Sequence, residues 1–70
     1  MKLNSNFEST MEEIIRAIAE AGYQPYDQLY GYVSTGKEEF ITRNGNAREK
    51  VKKLNWLAVK EYVEKMEGSK

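Results

Sequence analysis

The chain has no cysteine and no histidine. The first absence excludes a disulfide framework, and the second leaves zinc only carboxylates, which are poor ligands on their own. Neither metal nor cofactor is therefore expected. Without Cys or His, nucleophilic catalysis would need a Ser or Thr activated by lysine or carboxylate, and no spacing provides one. Glu12-Glu13 and Glu38-Glu39 are sequence neighbours. On a helix their side chains diverge by about 100°, so neither pair converges as an acid–base dyad. No glycine spacing matches a phosphate loop or dinucleotide fingerprint. No apolar run approaches the ~20 residues of a membrane span. The first ten residues, MKLNSNFEST, lack the apolar core of a signal peptide. These features lead to the expectation of a non-enzymatic, soluble, cytoplasmic protein.

Seventy residues allow one domain. A core this small supplies only about 3–5 kcal/mol, and with disulfides and metals excluded, self-association is the remaining support. A homodimer is expected on that ground. Net charge is zero but unevenly placed: residues 1–36 hold two basic and five acidic side chains, and residues 37–70 hold nine and six. Arg43, Arg48, Lys50, Lys52 and Lys53 are the densest basic group. Such asymmetry suits docking between copies or onto a charged partner.

What is present is helical periodicity. Residues 1–8 show none and are expected to fray. Ser9 with Glu12, or Thr10 with Glu13, forms a capping box. Met11, Ile14, Ile15 and Ile18 follow as one apolar stripe, which predicts a first helix over 9–21 ended by Gly22. Pro25 suits a helix start, and Tyr26, Leu29, Tyr30 and Val33 form the second stripe, closed by Gly36. Gly31 within it implies a close helix–helix crossing. A hairpin of 30–33 with 39–42 is the competing reading, since both segments are rich in β-formers. Phe40 and Ile41 lie in the longest connection and must cover the core or a partner. Asn44-Gly45 marks a turn, and Asn46 with Glu49 gives a cap for a third helix bearing Ala47, Val51 and Leu54. Asn55 caps a fourth, with Val59, Tyr62, Val63 and Met66 inward. Helices three and four could also be one bent helix. The expectation is an all-α, compact three- to four-helix domain over 1–70, as a symmetric homodimer.

Candidate dimer or core contacts are Tyr26, Tyr30, Phe40, Ile41 and Trp56. Tyr32 falls off the stripe and is assigned to an outside contact. Arg43 and Arg48 flank the Asn-Gly turn and complete a candidate interaction surface. Both arginines would equally serve by bonding helix-end carbonyls or the acidic half of a second copy. The basic third helix also allows a helix-turn-helix-like nucleic-acid binder as an alternative, although a pI near 6.3 is low for that role.

Residues 22–48 carry a more specific signal. Gly22, Tyr23, Pro25, Gln28, Gly31, Tyr32, Gly36, Ile41, Ala47 and Arg48 stand as in the IreB family, which this stretch resembles. Gln24, Asp27, Leu29, Thr35 and Phe40 are conservative replacements, and the register runs on through Lys52, Lys53, Val59, Glu61 and Val63. The IreB family comprises small regulatory phosphoproteins of low-GC Gram-positive bacteria. The resemblance implies an all-helical homodimer that is a cytoplasmic substrate of a transmembrane Ser/Thr kinase of envelope stress. It also implies negative regulation of intrinsic cephalosporin resistance. The chain departs at Lys37-Glu38, where the family has Asp-Pro, and near Asn44, where an aromatic is missing. Its N-terminus is shorter and lacks the family's threonine-bearing segment. Ser5, Ser9 and Thr10 occupy no matching place, so no phosphosite is carried over.

Overall fold

The structure, a computed structural model, describes the backbone of residues 2–68 and the side chains of 6–66. Four α-helices follow one another: α1 (Lys2–Glu20), α2 (Pro25–Thr35), α3 (Ala47–Lys52) and α4 (Trp56–Gly68). Two 3₁₀ turns, Glu38–Phe40 and Asn44–Asn46, interrupt the connection between α2 and α3. No strand occurs among the described residues. The hairpin reading is thereby removed, and α3 and α4 are separate.

The second helix follows its sequence signals. Proline occupies its first turn, Asp27 lies beside the N-terminal dipole, and Gly36 at φ +77° donates its N–H to the Tyr32 carbonyl at 2.6 Å. The first helix ends as expected around Gly22, with the Tyr23 N–H on the Ile18 carbonyl at 3.2 Å. Its start differs. The backbone is already helical from Lys2, so Ser9 and Thr10 lie inside the helix rather than at its cap. Thr10 Oγ1 donates to the Asn6 carbonyl four residues back, at 2.9 Å. Phe7 extends the Met11 stripe by one helical turn and packs edge-on against Tyr62 of α4, with ring centroids 5.9 Å apart. Met1, the first residue of the segment expected to fray, lies outside the described residues.

The core draws on every helix. Met11, Ile14 and Ile18 of α1, Leu29 of α2, Ile41 of the connection, Val51 of α3, and Val59 and Val63 of α4 are closed off from solvent. The heaviest packing joins α1 to α3 and α2 to α4. The radius of gyration, 11.0 Å, matches the roughly 11 Å expected of a compact chain of this length.

The connection over 37–42 lies as a strap across α2. Ile41 plugs the core from it, while Phe40 rests on Gly31. A Cβ built on Gly31 would stand 2.8 Å from Phe40 Cδ1. The close approach inferred at Gly31 is therefore real, but its partner is the strap and not a crossing helix. Gln28 Oε1 accepts the Thr42 N–H at 2.8 Å and fixes the strap to α2. At the following turn, Gly45 and Asn46 are both left-handed, at φ +59° and +62°. Asn46 consequently makes no side-chain cap to α3, against expectation. Asparagine is among the residues that tolerate this conformation best. The Asn44 side chain instead donates to the Ala17 carbonyl of α1 at 2.8 Å. Asn55 does cap α4, accepting the Ala58 N–H at 3.2 Å.

Candidate functional site

Two of the three side chains assigned to the interaction surface meet at one place. The Asn44–Asn46 turn sets Arg43 beside the first turn of α3, where Arg48 and Lys52 stand one helical turn apart on the same face. Together with Asn46, Glu49 and Glu38 of the strap they line an open hollow of about 430 Å³. The three cations are held differently. Arg48 is half-buried, and its Nε donates to the Ile41 carbonyl at 2.9 Å and its Nη2 to the Glu39 carbonyl at 3.4 Å. The Arg48 backbone N–H also reaches the Thr42 carbonyl at 3.1 Å. This arginine is thus a buttress of the strap, in line with the carbonyl-bonding role considered for it. Lys52 Nζ lies between Glu38 and Glu49 at 3.8 and 3.9 Å. Those separations exceed the ≈ 2.7–2.9 Å of a charge-assisted hydrogen bond. Arg43 is exposed, and its guanidinium has no hydrogen-bond or ion-pair partner among the described residues.

Tyr32 departs from its assignment. It is only 7% exposed and its ring belongs to the core. The strap packs along α2 and brings the Glu38 charge toward Tyr32. Burial raises its hydroxyl pKa, and the Glu38 carboxylate adds to the effect.

The residues assigned to core or dimer contacts also divide. Ile41 is fully buried, whereas Tyr30, Phe40 and Trp56 remain substantially exposed. Tyr26 is half-buried and stacks on Tyr30 with centroids 5.8 Å apart. Leu57 at 60% and Tyr23 at 56% are equally open and were not singled out by sequence. Asn46 and Lys52 of the hollow belong to the basic third helix of the alternative nucleic-acid reading, whereas Glu38 and Glu49 carry no site signal in the sequence. The i, i+4 spacing of Arg48 and Lys52 is the signal that points to two of its cations, but the approach of Glu38 depends on the strap's path.

Other groups have structural accounts. Lys50 pairs with Glu13 of α1 at 3.1 Å, so part of the basic cluster is neutralised within the chain. With α3 only six residues long, no long recognition helix carries the remaining basic side chains. A larger hollow of about 610 Å³ lies between the ends of α1 and α4, lined by Phe7, Glu8, Tyr62 and Met66 among others. Among the described residues, no three acidic side chains gather as a metal site. No described helix is long and apolar enough to cross a membrane.

The structure is thus a small all-helical domain with a polar hollow at a strap–helix junction. The chain belongs to the IreB family of regulatory phosphoproteins, which it matches over residues 1–66. The match takes in α1, well upstream of the residues 22–63 that carry the resemblance in sequence. The chain is also 39% identical over 54 residues to a UPF0297 protein of Clostridioides difficile (strain 630). That alignment covers 77% of this chain and 64% of the relative's length.

Proposed function

We propose that this chain regulates by binding another protein, without catalysis of its own, as a cytoplasmic homodimer answering to a Ser/Thr kinase. The observation that carries the reading is the match to a regulatory phosphoprotein family over 1–66. The hollow of Arg43, Arg48 and Lys52 is the proposed contact for the partner protein. The exposed aromatics Tyr30, Phe40 and Trp56, with Leu57, are the proposed material of the dimer interface.

The test is affinity capture from native lysate with and without phosphatase, using the full chain and an Arg43→Ala variant. A regulator of this kind retains a specific protein on the wild-type chain and loses it on the variant. Equal recovery on both chains would count against the hollow as the contact. Sedimentation of the purified chain tests the dimer separately, since a stable 8.1 kDa monomer at high concentration refutes it.

A further inference from the structure

We infer that the hollow between the strap and α3 is a receptor for a phosphomonoester, the side chain of a phosphorylated serine or threonine on a protein. The inference rests on the protein-binding reading above and specifies its ligand. Three cations line the hollow, and none of them uses its full donor capacity in the folded chain. Arg43 has a guanidinium with no partner among the described residues. Lys52 is held only loosely, at 3.8 and 3.9 Å, by two carboxylates. Arg48 has one well-made bond through Nε and a longer one through Nη2, which leaves donors of its fork open. A phosphomonoester brings close to two negative charges and three acceptor oxygens to one point, which suits a hollow lined by three cations.

The lining carboxylates shape the choice of ligand. Glu49 and Glu38 line the same hollow, and their side chains are 66% and 44% exposed. Either can swing toward solvent when a dianion takes Lys52. A single carboxylate ligand offers one charge, too little to displace both. An extended polyanion such as nucleic acid would lay neighbouring phosphates over these glutamates, at a repulsive cost that a lone phosphoryl group avoids.

The test is a titration of the isotope-labelled full chain with N-acetyl-phosphothreonine N-methylamide, followed by amide and side-chain NMR at neutral pH. Shifts confined to the strap and α3, residues 37–52, are expected. Arg43→Ala and Lys52→Ala should each weaken binding about tenfold, and Glu49→Gln should tighten it. Affinity should fall as the pH drops through about 6, where the phosphate takes up its second proton. Circular dichroism checks that each variant is folded. The inference is overturned if the unphosphorylated compound or N-acetyl-aspartate N-methylamide produces equal shifts. It is also overturned if sulfate binds equally and Arg43→Ala has no effect, which would mark an adventitious anion site. Capture of a partner that Arg43→Ala abolishes but phosphatase leaves intact would keep the protein-binding reading and remove this one.

Discussion

Arg43 and Arg48 look alike in the sequence, five positions apart around one turn, yet the structure gives them different work. Arg48 carries the strap through charge-assisted bonds to the Ile41 and Glu39 carbonyls. Replacing it by alanine should cost about 1.5–3 kcal/mol in urea unfolding, and lysine should recover little of that because it lacks the planar fork. Arg43→Ala should stay within about 0.5 kcal/mol of wild type. Equal effects of the two would mean the strap does not depend on Arg48. A similar division applies to Gly31. Alanine there gains roughly 0.5–1 kcal/mol of helix propensity but drives a methyl into the Phe40 ring. Gly31→Ala is therefore expected to destabilise the wild-type chain and to stabilise a Phe40→Ala background. A double-mutant cycle reads the change of sign directly. Tyr32 contributes a pH dependence. Its hydroxyl, partly desolvated and near Glu38, ionises at higher pH in the folded state than in the unfolded one. The associated stability is complete below the unfolded value near 10 and is lost as pH rises through the folded value. Tyr32→Phe should flatten the alkaline limb of the stability curve, as followed by chemical unfolding across pH 9–11.

At the scale of elements, legibility in the sequence follows how local the determinants are. The second helix was readable because Pro25 and Gly36 bracket it and both act within one turn. The Asn55 cap was readable for the same reason, and Asn55→Ala should cost about 1 kcal/mol where Asn55→Asp costs little, as measured by thermal or urea unfolding. The first helix was read late because Phe7 is a lone apolar residue in a polar stretch, and its partner Tyr62 stands at the far end of the chain. The partner of Gly31 is not legible in the sequence: the strap that covers it arrives from residues 37–42, and no helical periodicity encodes where a connection lies. Asn46 has the type and the spacing to Glu49 that fit a cap, yet it makes no side-chain cap. It instead shares a left-handed turn with Gly45, next to Asn44 anchored on α1.

For the molecule as a whole, zero net charge conceals a pattern that folding partly cancels. Lys50 meets Glu13 across α1 and α3, a surface pair of the kind that contributes at most about 1 kcal/mol. Three of the remaining cations, Arg43, Arg48 and Lys52, gather at the hollow. The candidate site was thus half legible: the basic residues could be read, while their meeting with Glu38 required the fold. The family match beginning at residue 1 fits a domain in which α1 contributes to the core as fully as the glycine- and tyrosine-rich centre does.

The order in which the helices pack has a further consequence. Because α1 leans most on α3 and α2 most on α4, the two partnerships interleave along the chain. Cutting the backbone in the 37–46 connection leaves each half holding one member of both pairs. Neither half retains its main packing partner, so neither is expected to hold a stable fold alone. Mixed together, the halves should restore each other's missing faces. The domain would then behave as a natural split protein, whose two pieces are unfolded apart and helical when combined.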